Sequence, residues 1–143
     1  MTPLDLTKAP PRSPRVELWG LCMLPRMIDI ARAMLPGGVP GEYRIGRDKT
    51  LSAIVLRAFG MSPAELVDVV RDANTDEEIA ERIWDSATVP PKALSARLRR
   101  ITVKDVPTDL LPTFQRLYGA QNADVSVFSI LEADDVRTFA AKA

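Results

Sequence analysis

Prolines and glycines divide this chain into short segments, and within most of those segments the apolar residues recur at helical spacing. The chain holds 12 prolines and 7 glycines in 143 residues. Because proline is favoured in the first turn of a helix and glycine just after the last turn, the two residues mark helix starts and ends. The pattern predicts an all-α fold, a compact single domain of six to seven short helices.

The first helical pattern runs from about residue 16 to residue 35 and contains Pro25. That proline either kinks one long helix or starts a second helix at its first turn. The motif "PGGVPG" then ends the helix. The following motif "EYRIGRD", residues 42–48, is the one segment that resembles a strand, and it is too short to carry a sheet.

Capping motifs mark the helices that follow. An apolar stripe over residues 51–59 predicts a helix that ends at Gly60. In "MSPAEL", Ser62 can cap the next helix while Glu65 completes a capping box, and "NTDEEIAERIW" repeats this device. Further helices are expected near Pro91, from about residue 108 to 118, and within "DVSVFSILEADDVRTF".

The first 15 residues differ from the rest of the chain. They contain four prolines, which favour extended or polyproline-like backbone. We expect residues 1–15 to form an extended, proline-rich N-terminal arm that packs on a single helical domain of residues 16–143.

Composition limits the cellular setting. The net charge is zero, so no overall field attracts nucleic acid or an anionic membrane. The longest apolar stretch, "LWGLCMLPRMIDIARAML", contains charged side chains that each cost about 2.5–3.5 kcal/mol at a bilayer centre, and no secretory signal precedes it. The lone cysteine, Cys22, suits a reducing compartment. We expect a cytoplasmic protein that binds neither membrane nor nucleic acid.

The chain contains no histidine. This excludes Ser-His-Asp and Cys-His nucleophile activation, and imidazole-ligated metal or haem. A glycine-rich phosphate loop is also missing from the sequence, so no cofactor and no metal is expected. The basic motif "KALSARLRRITVK" lacks the interleaved aromatics and the known motifs of nucleic-acid-binding proteins.

Charge is segregated along the chain. Residues 61–88 carry two arginines and eight acidic residues, whereas residues 89–118 carry six basic and two acidic residues. Either an acidic helical hairpin packs beside a basic helix within one chain, or the same attraction joins two chains in a homodimer.

The strongest candidate site combines the arm with the first helix. Arg26, Asp29 and Arg32 are spaced three apart, so we expect them to share one face of that helix. If the arm folds back over this face, its arginines surround the carboxylate with guanidinium groups, which suit carboxylate or phosphate recognition. Alternatively, the aspartate simply pairs with the arginines and holds the arm in place. The full candidate set is Arg12, Arg15, Arg26, Asp29, Arg32, Glu42 and Tyr43.

Two functions are compatible with this cluster. In the first, a small cytoplasmic protein binds an anionic small molecule, or a protein partner, through Arg12, Arg15, Arg26, Arg32 and Tyr43. In the second, a cofactor-independent enzyme of the lyase, isomerase or cyclase type acts on an organic small molecule. Its acid or base is Asp29 or Glu42, Tyr43 donates a proton, and the arginines stabilise negative charge.

Several motifs also resemble those of a bacterial family of domains of unknown function, DUF5069. The motifs are "LDLTKAPPRSPR", "LPRMIDIARA", "GEY", "FGMSPAELVDVV", "TDEEIAERI" and "NADVSVFSILEAD". The resemblance covers the whole chain and implies a single-domain layout, but no mechanism. The stretch "RIGRDKT" departs from the polar, cysteine-containing stretch that follows the tyrosine in many members. If that loop contributes to a site in the relatives, the site is altered here.

Overall fold

The computed structural model describes residues 1–46 and 49–140. Within them, seven α-helices and one two-stranded hairpin are present, and about half of the residues are helical, so the mostly helical prediction is confirmed. A single 3₁₀ turn, Val103–Asp105, precedes the sixth helix. The elements in chain order are β1 (Glu17–Leu18), β2 (Leu21–Cys22), α1 (Leu24–Ala33), α2 (Leu51–Ala58), α3 (Pro63–Asp72), α4 (Asp76–Trp84), α5 (Pro91–Arg99), α6 (Leu111–Tyr118) and α7 (Val127–Ala140).

A hairpin replaces the first half of the predicted first helix. β1 and β2 pair antiparallel, with Leu18 opposite Leu21. Trp19 and Gly20 form the turn, with φ of 53° and 82°, and positive φ at both central positions matches the twist of a hairpin. Pro25 lies in the first turn of α1. Of the two alternatives for this proline, it therefore starts a helix rather than kinking one.

α1 lies at the centre of the fold. Nine of its ten residues are buried, and Arg32 is the exception. Helices α2, α3, α4, α5 and α7 and the hairpin contribute most of the other core side chains. Because Arg26 and Asp29 are buried on this helix, each needs a partner, since an unpaired buried charge is costly. The largest fully buried side chains include Leu24, Met27, Ile28, Leu66, Ile79, Leu98 and Phe128.

The predicted helix starts agree closely with the structure. Ser62 and Glu65 form the capping box at α3, and Thr75 caps α4 by accepting from the Glu78 N–H. α6 begins at Leu111 instead of residue 108, because a turn closed on the carbonyl of Pro107 precedes it.

No strand forms in the described part of "EYRIGRD", residues 42–46, so that expectation is wrong there. Gly41, just before this part, and Gly46, at its end, have φ of 59° and 74°, which interrupts extended backbone. The remaining two residues of the motif lie outside the described residues.

Residues 1–16, which we call the N-terminal segment, contain no helix and only an isolated bridge to the loop after α1. The Leu6 N–H donates to the Val39 carbonyl at 2.8 Å, and the Val39 N–H donates to the Leu4 carbonyl at 2.9 Å. Near the other end, the Met23 N–H donates to the Pro14 carbonyl at 2.8 Å, and this proline is fully buried. These bonds hold the segment, with its two arginines, against the helices.

Candidate functional site

Arg12 of the N-terminal segment lies between two carboxylates from different helices. Its backbone N–H and Nε donate to Asp29 Oδ2 at 2.8 and 3.1 Å, and Nη2 donates to Asp29 Oδ1 at 3.1 Å. Nη1 and Nη2 donate to Asp76 at 2.7 and 3.2 Å. Burial alone would lower the pKa of Arg12, but the hydrogen bonds to Asp76 and Asp29 outweigh it and raise the pKa. Arg12 thereby ties the segment to α1 and to the first turn of α4.

Arg26 pairs with Asp135 of α7 instead of Asp29. Nη1 and Nη2 donate to the two carboxylate oxygens at 2.7 and 3.2 Å, and these side chains are only 4% and 9% exposed. The Tyr43 hydroxyl donates to the same carboxylate at 2.7 Å, and the guanidinium lies 5.4 Å from the Tyr43 ring centroid. Burial, together with the hydrogen bond to Asp135, raises the pKa of Tyr43. The result is a group of one buried cation, one buried carboxylate and one half-buried phenol.

Arg15 makes the third connection, to the outer side of α7. Its Nε donates to Glu132 at 2.7 Å and its Nη2 to the Ser129 hydroxyl at 2.7 Å. Ser13 also donates to Glu132, at 2.8 Å. The hydrogen bond from Arg15 lowers the pKa of Glu132 despite its partial burial. Nη1 of Arg15 makes no hydrogen bond to the described residues, and the side chain is 40% exposed.

These contacts form one group, which we call the arginine cluster. It contains three cations and four carboxylates, so its positive charge is balanced internally and one negative charge is in excess. Ser129, Glu132 and Asp135 are spaced three apart on α7 and receive the arginines. The members of the arginine cluster are Arg12, Arg15, Arg26, Asp29, Asp76, Glu132, Asp135 and Tyr43, with Ser13 and Ser129 at its edge.

Two of the candidate residues lie apart from the cluster. Arg32 donates through Nε to the Thr2 carbonyl at 2.8 Å, and Glu42 is exposed without a hydrogen bond or ion pair to any described residue. Arg26, Asp29 and Arg32, expected to share one face of the helix, point in different directions, and Arg26 and Arg32 bind Asp135 and Thr2 instead of Asp29. Each three-residue step turns a helix position back by about 60°, so the two arginines point about 120° apart.

Sequence reasoning missed three of the four carboxylates. Asp76 lies in the first turn of α4, where an acidic residue is expected for its interaction with the helix dipole alone. Glu132 and Asp135 lie more than 100 residues from the arginines they bind. Their three-residue spacing on a helix was the available signal.

Two of the cavities on the surface of the described residues concern the site, and both lie outside the centre of the cluster. The larger has a volume of about 270 Å³, and Ser129 belongs both to its lining and to the edge of the cluster. The smaller has a volume of about 170 Å³. The larger is lined by Tyr118, Gln121, Val125, Ser129, Ile130, Ala133, Asp134 and Arg137. The smaller is lined by Ile54, Arg57, Ala58, Thr88, Val89, Leu94 and Arg97.

The described residues also bear on a metal site, the thiol of Cys22 and a membrane-spanning helix. Across residues 1–46 and 49–140, no three His, Cys, Asp or Glu side chains are arranged to hold a metal ion. Cys22 is a buried free thiol whose Sγ lies 3.7 Å from the Ser95 carbonyl. Within the same residues, every helix is too short or too polar to cross a bilayer.

Comparison with known proteins agrees with the motif analysis. No curated protein matches the chain. A family model described as Domain of unknown function (DUF5069) matches residues 8–137, a range that includes every member of the arginine cluster. Because this match spans most of the chain, the protein belongs to the Domain of unknown function (DUF5069) family.

Proposed function

We propose that this protein binds a small anionic molecule in the cavity between α6 and α7, beside Arg15. The observation that carries the proposal is the hydrogen bond of 2.7 Å from Arg15 Nη2 to the Ser129 hydroxyl, because Ser129 also lines this cavity. Nη1 of this arginine has no acceptor among the described residues. A ligand carboxylate or phosphate at the cavity rim would supply one.

The other arginines of the cluster have a positioning role in this proposal. All three nitrogens of the Arg12 guanidinium already donate to carboxylates, and Arg26 is buried against Asp135. An incoming anion would have to displace one of these carboxylates. Arg12 and Arg26 therefore fix the N-terminal segment and α7 relative to each other, which holds Arg15 beside the cavity.

The cavity lining suits a small organic acid. Arg137 is the guanidinium within the lining; it is exposed and donates at 2.7 Å to Asp134, whose carboxylate also lines the cavity. Gln121 and Ser129 add polar groups, while Val125, Ile130 and Ala133 give one apolar wall. A volume of about 270 Å³ is just below the ~300–1,000 Å³ of ordinary ligand pockets, so the ligand is smaller than a nucleotide.

The test is a thermal-shift and calorimetric titration with a panel of small carboxylates and phosphate monoesters. A ligand that binds only the native state raises its melting temperature. We expect Arg15→Gln to weaken binding at least tenfold, whereas the control Arg116→Gln, which removes an exposed arginine bonded only to Thr113, leaves binding unchanged. If no compound of the panel binds, or if Arg15→Gln binds as tightly as wild type, the proposal is refuted.

An enzymatic role is the second candidate, favoured by the Tyr43–Asp135 hydrogen bond. The phenol is protonated at neutral pH, but the raised pKa makes it a weak acid and its proton is donated to Asp135, so a substrate would have to displace that carboxylate before Tyr43 could donate. Asp29 is a poorer base because Arg12 makes three hydrogen bonds to it, and Glu42 lies apart. Incubating the same panel with the protein and following each compound by NMR tests this role. Turnover that Tyr43→Phe abolishes would support it, and no turnover of any compound would oppose it.

We also propose that the protein acts in the cytoplasm and pairs with a second copy of itself. The buried free thiol of Cys22 suits a reducing compartment. Among the described residues, no ion pair joins the acidic range 61–88 to the basic range 89–118. Because this attraction is unused within the chain, it is available between two chains.

A further inference from the structure

Only three arginines of the described residues make no side-chain hydrogen bond or ion pair, namely Arg57, Arg97 and Arg100. Two of these, Arg57 on α2 and Arg97 on α5, line the same cavity. This contrasts with the arginine cluster, where carboxylates outnumber the guanidinium groups. Two exposed cations that share one cavity, without an acid in its lining, leave a positive charge that an anion would neutralise.

The rest of this cavity is apolar and is held in place by the backbone. Four of its lining residues, listed below, are apolar, and Thr88 is the one polar uncharged residue. The Thr88 hydroxyl and N–H both donate to the Ala58 carbonyl, at 2.9 and 2.7 Å. These bonds fix the loop that forms one wall against the end of α2. The apolar lining consists of Ile54, Ala58, Val89 and Leu94.

We propose that the cavity between α2 and α5 is a second ligand site, for a small organic anion with an apolar body. Arg57 and Arg97 bind the carboxylate or phosphate group, because guanidinium presents paired donors to such oxygens. Ile54, Val89 and Leu94 contact the body of the ligand. The volume of about 170 Å³ limits this body to roughly the size of one ring. This site shares no lining residue with the cavity beside Arg15, so the two proposals are independent.

The probe is benzoate, which combines a carboxylate with a single apolar ring. Benzyl alcohol keeps the ring without the charge, and acetate keeps the charge without the ring. We expect benzoate to give a saturable NMR titration in which the amide signals of Val89 and Leu94 shift, and to bind at least tenfold more tightly than either fragment. Equal binding of acetate would refute the apolar contact, and equal binding of benzyl alcohol would refute the role of the arginines.

The chain offers a matched control for the arginines. Arg57→Gln and Arg97→Gln should each weaken benzoate binding at least fivefold, whereas Arg100→Gln removes the third unpartnered arginine, outside the cavity lining, and should leave it unchanged. All three side chains are exposed, so the variants should fold, which circular dichroism verifies. The Arg15→Gln variant should also leave these shifts unchanged. Absence of saturable benzoate binding, or equal binding by the Arg57, Arg97 and Arg100 variants, overturns the inference.

Discussion

Replacing Asp29 with asparagine tests the arginine cluster at the buried carboxylate that binds Arg12. The side chain is 9% exposed and accepts three hydrogen bonds from Arg12. Breaking a buried ion pair costs about 3–5 kcal/mol. Because Arg12 remains 35% exposed and keeps its bonds to Asp76, we expect a smaller loss of about 2–3 kcal/mol in the free energy of unfolding.

Urea denaturation followed by circular dichroism measures this loss. At about 2–4 °C per kcal/mol for a chain of this size, the melting temperature should fall by roughly 5–10 °C. Asp124→Asn is the matched control, since that carboxylate is 92% exposed and lies 3.9 Å from Lys104, so the change should stay within about 0.5 kcal/mol. If Asp29→Asn is no more destabilising than this control, the cluster does not hold the N-terminal segment in place.

Three further predictions concern pH and assembly. Arg15 lowers the pKa of Glu132 below its ordinary 4.5, so the stability from this pair is present above that value and is lost as the pH falls through the folded pKa. In urea titrations at pH 7 and pH 3.5, Glu132→Gln should therefore lose less stability between the two pH values than wild type does. An equal loss would contradict this. The pKa of Tyr43 is raised above 10.0, so its contribution to the free energy of unfolding is present below that pH and is lost as the pH rises through the folded pKa. Tyr43→Phe should cost about 1–2 kcal/mol of that free energy at pH 7 and flatten its decline at alkaline pH. An unchanged alkaline decline would count against the pairing with Asp135. Light scattering at about 20 and 500 mM salt should show a dimer that weakens with salt, and a monomer in both buffers would exclude the homodimer.

The helices could be predicted because their signals are local. Ser62 and Glu65 lie three residues apart, and their side chains cap the first turn of α3. The residues of that one turn are therefore enough to predict where the helix begins. The hairpin could not be predicted, since strands of two residues show no alternation. Its turn places Trp19 at a positive φ in place of the asparagine or aspartate that usually marks such turns.

The candidate site was predictable only in part. Arg12 and Asp29, both named as candidates from the sequence, form a hydrogen bond although they lie 17 residues apart. Which carboxylate Arg26 binds depends on how α7 packs against α1, and that packing joins residues 109 positions apart. Local spacing on one helix does not contain this information, so Asp135 was missed.

Hydrogen exchange at the Arg12 amide tests the central claim most directly. This N–H donates to Asp29 Oδ2 at 2.8 Å, and the account holds that this contact fixes the N-terminal segment to α1. NMR should show slow exchange at Arg12 and at Met23, whose N–H donates to the Pro14 carbonyl. In Asp29→Asn, exchange should accelerate at Arg12 while the core amide of Ile28 stays protected. Exchange at Arg12 as fast as in an unstructured peptide, in the wild-type protein, would contradict the account.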